Sequence, residues 1–144
     1  MSWDFSTEPE FQKKLDWARQ FISDEVKPLD LAFPGERVIY DKTHAVHEAV
    51  IYPLQEQVKA QGLWACHLSP ELGGQGYGQV KLALLQEQLG HAGWAMVVFG
   101  CQAPDSGNAE IIAHYGTEAQ KKQYLEPLLN SRISSSYSMT EPQG

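Results

Sequence analysis

Apolar residues return along the first quarter of the chain at the spacing of one helix face: Phe11, Leu15, Ala18, Ile22 and Val26. Thr7 with Glu10 three residues on has the form of a capping box, Glu8 and Pro9 suit a first turn, and Pro28 predicts the end of the run. Residues 29–41, which contain Pro34-Gly35, read as a connection. A second helix is expected over 42–61, interrupted or restarted at Pro53 and stopped by Gly62 at its C′ position. The short apolar piece Leu63 to Leu68 gives way to a turn-rich run, SPELGGQGYG. Residues 79–90, with Val80, Leu84, Leu85 and Leu89, read as an apolar helix, and 93–101 as a buried one. Asp105 is placed to cap a helix reaching Tyr115, with Ile111 and Tyr115 facing inward and Gly116 beyond its end. Thr117 and Gln120 form a further capping box, for a helix with Tyr124 and Leu125 that Pro127 ends or kinks. The pattern predicts six or so helices in one all-α, bundle-like domain, with β character only over 133–139. An unpaired strand edge invites association, so that last segment is expected to pair with residues beyond this sequence.

Composition narrows the classes. At 144 residues, 42% hydrophobic and 20% charged, the chain can bury a core of its own. Its formal charge of −7 offers no basic field to nucleic acid or anionic lipid. No apolar run approaches a membrane span, and Met1-Ser2-Trp3-Asp4 lacks the basic start of a signal peptide. Cys66 and Cys101 lie far apart in sequence and outside any CxxC spacing, which reads as two reduced thiols in a cytoplasmic protein.

Candidate chemistry is sparse. His44 and His47 lie three apart on an expected helix and are close enough to share a metal, but spacing places no third ligand beside them. His67, His91 and His114 are isolated. The glycines of GGQGYG, Gly73 to Gly78, lack the Lys-Ser/Thr of a phosphate loop and the βαβ setting of a dinucleotide fingerprint, so a turn needing positive φ is the reading. Trp64, Trp94 and Phe99 offer a stacking platform for a flat cofactor, or, in their apolar surroundings, core packing.

Four stretches go further. YSMTEP (residues 137–142) resembles the Tyr-X-apolar-Thr/Ser-Glu-Pro motif of the acyl-CoA dehydrogenase family. PELGGQGYG is similar to that family's Pro-acidic-X-Gly-Gly-X-Gly loop, and HYGTEAQKKQYLEPLL to its Tyr-Gly-Thr/Ser-Glu-X-Gln-Lys helix start. CQAPDSGN resembles one branch, the relatives of acyl-CoA dehydrogenases 10 and 11 in animals. The likeness runs from about Phe5 to Gly144. It implies that residues 1–132 are the family's helical N-terminal domain and that 133–144 open a middle β-barrel domain, with a C-terminal four-helix bundle to follow.

The activity this resemblance implies is FAD-dependent α,β-dehydrogenation of an acyl-CoA thioester, with electrons passing to an electron-transfer flavoprotein or similar acceptor. The implied assembly is a homodimer or homotetramer, in the cytoplasm of a bacterium. Residue by residue, Tyr137, Met139 and Thr140 fall where the family contacts the flavin ring, and Phe99, Gly100 and Ala103 where it walls the acyl channel. The family's catalytic carboxylate comes from the C-terminal bundle, so this chain alone is expected to be inactive and Glu141 is not assigned as the base. Many members continue Thr-Glu-Pro with Gly-X-Gly-Ser-Asp; here Gln143-Gly144 follows, which leaves the thioester loop and substrate choice open. A flavin oxidase or monooxygenase of the same fold, and a non-catalytic helical interaction module, remain as alternatives.

Overall fold

Three prolines organise the helices. The computed structural model describes residues 4–143, without the side chains of Glu36 and Arg37; Gly144 lies outside the described residues. Helix α1 (Pro9–Phe21) does not stop at Pro28. It passes through a π-helical turn, Ile22–Val26, into α2 (Lys27–Ala32). A second π turn, His47–Ile51, leads into α4 (Tyr52–Ala60), after the short α3 (Glu36–Tyr40). A third, Lys121–Leu125, joins α8 (Glu118–Gln120) to α9 (Glu126–Leu129). Pro28, Pro53 and Pro127 each follow a π turn by two residues. A proline inside an α-helix lacks the N–H for the carbonyl four residues back and its ring collides with that carbonyl. Widening the preceding turn to i→i+5 bonding places each proline at the start of a fresh segment, where no N–H is needed. The expected break at Pro28 is therefore a continuation.

The remaining elements are a 3₁₀ turn, Pro70–Leu72, then α5 (Gln79–Leu89), α6 (Ala95–Val98) and α7 (Asp105–Tyr115). The main core joins α1, α4, α5 and α6 through Phe11, Leu15, Val58, Leu85, Leu89, Trp94 and Phe99, all nearly or fully buried. Burying each such side chain contributes about 1.5–3 kcal/mol. Gln55 donates from Nε2 to the Val97 carbonyl at 3.1 Å, tying α4 to α6, while the buried Trp94 Nε1 has no protein partner. A smaller cluster, Ala65, Leu68, Ala109, Ala113, Leu125 and Leu128, holds α7 against α9 and the 64–68 turn, with Trp64 packed against both clusters.

Several local expectations hold. Gly62 (φ +66°) closes α4 with the two bonds of a Schellman motif, Gly62 N–H to Lys59 O and Leu63 N–H to Val58 O. Thr117 and Gln120 make the reciprocal capping box. Gly73, Gly76 and Gly78 all take positive φ, as the turn reading requires. Trp94 and Phe99 are core residues.

Others are corrected. Thr7 and Glu10 form no capping box: Glu8 holds the cap position without a side-chain cap bond, and its carboxylate is drawn to Lys81. Asp105 is the first residue of α7 rather than its cap. Ile111 and Tyr115 face solvent, 54% and 85% exposed, because α7 buries its small side, Ala109 and Ala113, which permits close approach to α9. Gly116 does end α7, yet in extended backbone; a Cβ there would sit 2.5 Å from the Ile112 carbonyl. Only four residues of the expected 93–101 helix are helical. The segment 133–139, whose expected strand partners lie beyond this sequence, is irregular among the described residues.

Candidate flavin and acyl site

The site residues named from the sequence lie on two segments that meet at the start of α7. The first is the turn out of α6. Gly100 (φ +66°) sits at C′ of a second Schellman motif, Gly100 N–H to Val97 O at 3.2 Å and Cys101 N–H to Met96 O at 2.9 Å. The Trp64 ring crosses directly over it: a Cβ at Gly100 would lie 2.7–2.9 Å from three ring carbons. That ring is held by its Nε1, which donates to the Leu129 carbonyl at 3.0 Å, and by Lys59 above its face. Glycine is thus required here by close approach and by backbone conformation together. Phe99 is fully buried and its ring packs 6.0 Å from that of Phe21, so its side chain belongs to the core; Gly100 is half-buried and Ala103 exposed.

The second segment begins after α9. Its root is fastened to α7 and to the 41–42 loop. Asp105 Oδ1 accepts from both the backbone N–H and the hydroxyl of Ser135, at 2.7 and 2.6 Å. Asn108 Nδ2 donates to Ser135 Oγ at 2.9 Å and, at 3.4 Å, to the Ser136 carbonyl. Lys42 Nζ donates to the Ile133 carbonyl at 2.7 Å and lies 3.7 Å from Asp105 Oδ2. Burial pulls the Lys42 ammonium below its ordinary pKa, and the Asp105 carboxylate opposes that shift. Beyond this root, Tyr137 and Met139 are 65% and 72% exposed, and Thr140 is exposed too. Among the described residues, no hydrogen bond engages the backbone of residues 137–140.

Between the segments lies a cavity of about 30 Å³ bordered by Lys42, Gln55, Trp64, His67, Gln102 and Ser106, too small for a cofactor ring. Both ring nitrogens of His67 are buried without a protein partner, and burial pushes its pKa down, against the raising influence of Glu110. His44 and His47 do not converge. His47 Nε2 lies 3.1 Å from the Val38 carbonyl, and His44 Nδ1 accepts from the Val46 N–H. Burial pushes the thiols of Cys66 and Cys101 up to about 12 and about 11, so neither is a thiolate near neutral pH.

Sequence reading missed the clamp. From sequence the expected role of Asp105 is a helix cap, and neither Lys42 nor Asn108 stands out. The signal lay in CQAPDSGN, where an acid and an amide three residues apart share one helix face.

Comparison with known proteins identifies the family. The model of the acyl-CoA dehydrogenase N-terminal domain matches residues 8–132. Acyl-CoA dehydrogenase family member 11 of Rattus norvegicus is 49% identical over 139 residues, and family member 10 of Mus musculus 39% identical over 140. These matches cover 91% and 94% of this chain, which spans only 17% and 13% of those relatives. A solved structure from Mycobacterium abscessus, provisionally assigned as an acyl-CoA dehydrogenase, superposes with a TM-score of 0.73 at 33% identity, covering 96% of this chain and 36% of that one. The chain belongs to the acyl-CoA dehydrogenase family and has the all-α fold of its N-terminal domain.

Proposed function

We propose that this chain is the helical N-terminal part of an FAD-dependent acyl-CoA dehydrogenase, which introduces a double bond between Cα and Cβ of an acyl-CoA thioester. In this reading residues 1–132 are the helical domain and 133–144 the entry to a β domain. The observation that carries it is the 137–140 segment, exposed and free of backbone hydrogen bonds among the described residues, leaving a root anchored on α7.

The residues present fit a flavin edge. An isoalloxazine ring has a polar pyrimidine side and an apolar benzenoid side. Unpaired N–H and C=O groups with the Thr140 hydroxyl suit the first, and Tyr137 and Met139 supply apolar surface for the second. Bound FAD supplies an acceptor for the substrate's β-hydride. Gly100 and Ala103 line the acyl side, with Phe99 setting the turn from within the core. Glu141 is exposed and is given no proton-transfer role; the base that takes the α-proton is proposed to come from another domain. An electron-transfer flavoprotein as acceptor, a homo-oligomeric assembly and a cytoplasmic location belong to the same reading.

Anaerobic addition of a saturated straight-chain acyl-CoA to the purified intact protein tests it. The expected result is bleaching of the visible flavin band with formation of the 2-enoyl-CoA. A colourless protein without flavin would overturn the reading in favour of an interaction module. Rapid return of the flavin colour when oxygen is admitted, with peroxide released and repeated turnover without another acceptor, would favour an oxidase.

A further inference from the structure

We propose that Asp105, with Asn108 and Lys42, is a positioning unit for the flavin-contacting segment: it fixes where Tyr137–Thr140 leave the helical domain. This rests on the flavin reading above and adds to it three residues that touch neither flavin nor substrate. The geometry is specific. Three side chains from two separate parts of the fold converge on residues 133–136, and the five hydrogen bonds they make all fall on that root. Asp105 takes both donors of a single residue, Ser135, and so fixes its backbone and its rotamer together. Lys42 meets Asp105 from the other side, with both side chains about one-fifth exposed, where charge-assisted bonds are stronger than at an open surface.

The consequence follows from covalent geometry. Ser135 stands two residues before Tyr137 and five before Thr140, and an extended chain advances at most about 3.3–3.6 Å per residue. A root held at Ser135 confines the groups at 137–140 to a small volume, while a free root lets them sweep a larger one. Flavin contacts made by a preorganised segment require less ordering on binding than those of a loose one. Asp105 is also the first residue of α7, two residues after Ala103 and five after Gly100. Asp105 therefore links the proposed acyl-side turn to the proposed flavin-side segment.

The test uses the intact flavoprotein with two readouts. In Asp105→Ala, amide hydrogen exchange in a peptide covering 133–136 is expected to accelerate about tenfold, as loss of one such bond predicts. The bound flavin's visible spectrum and midpoint potential are expected to shift. Asp105→Asn keeps an oxygen acceptor for Ser135 and is expected to restore both readouts toward the parent. Exchange at the parent rate in Asp105→Ala would overturn the clamp while leaving the flavin reading intact. Faster exchange with an unmoved spectrum and potential would overturn the positioning role. A parent protein with no flavin would overturn the flavin reading and the positioning role with it, and the exchange readout would still report whether the clamp exists. Should Asp105→Ala fail to fold, Asn108→Ala, which removes two of the five bonds and leaves the ion pair and the Ser135 amide bond, is expected to accelerate exchange by a smaller factor and to shift spectrum and potential in the same direction; parent-like exchange or parent-like flavin properties there would overturn the proposal in the same two ways.

Discussion

Replacing Gly100 with alanine is the sharpest perturbation of the helical domain. Two separate costs add. The residue sits at φ +66°, where an L side chain costs about 1–2 kcal/mol. The new methyl would also lie 2.7–2.9 Å from the Trp64 ring, which cannot retreat without giving up its bond to Leu129 and its place against both clusters. Overpacking of that kind costs about 1–3 kcal/mol. The sum is about 2–5 kcal/mol, a large fraction of the stability of a domain this size. Urea unfolding followed by tryptophan fluorescence and far-UV circular dichroism measures it. Trp64→Leu in the same background separates the two costs, because shrinking the ring should relieve the clash and leave the backbone cost. The double mutant should therefore be more stable than the sum of the singles by roughly 1 kcal/mol or more. A Gly100→Ala penalty under about 0.5 kcal/mol, or strict additivity with Trp64→Leu, would refute the close approach.

Two further outcomes follow from the same geometry. Gly74→Ala would place a Cβ 2.0 Å from the Leu68 carbonyl oxygen, a backbone atom that cannot swing away, whereas Gly73→Ala meets nothing within 4 Å and carries only the cost of its φ of +88°, about 1–2 kcal/mol; Gly74→Ala should be the more destabilising by urea unfolding, and equal effects would contradict the turn as described. His67 has its folded pKa below the ordinary 6.5, so the unfolded chain takes up the proton first. The stability it contributes while neutral is present above about pH 6.5 and is lost as pH falls from there toward the folded value. His67→Gln should flatten the stability profile between pH 7.5 and 5 (roughly the span over which histidine titrates), and an unchanged slope would assign the pH dependence elsewhere.

Much of this fold was legible because local chemistry decided it. The Thr117–Gln120 box and the glycine stop at Gly62 are short-range devices whose residues announce themselves. The three prolines misled at Pro28 for an equally local reason: sequence shows that a helix must accommodate a proline, but not that a π turn will do so without breaking it. Hydrophobicity alone is a poor guide to the buried side of α7. Close packing against α9 selects small residues, Ala109 and Ala113, and leaves Ile111 outside. The site divided along similar lines. Tyr137–Thr140 could be named from a motif, but Lys42 lies 91 residues from its partner Ile133, and no periodicity reaches that far.

Rapid-mixing measurement of flavin reduction by acyl-CoA decides the proposed contact between Thr140 and the flavin. Thr140→Val keeps the branched shape and removes the hydroxyl. A donor beside a ring that gains electron density stabilises its reduced form, so its loss, at about 1.5–3 kcal/mol in the transition state, should slow bleaching roughly ten- to a hundredfold in the FAD-loaded variant. A variant that keeps its FAD and bleaches at the parent rate would contradict the assignment of Thr140 to the flavin.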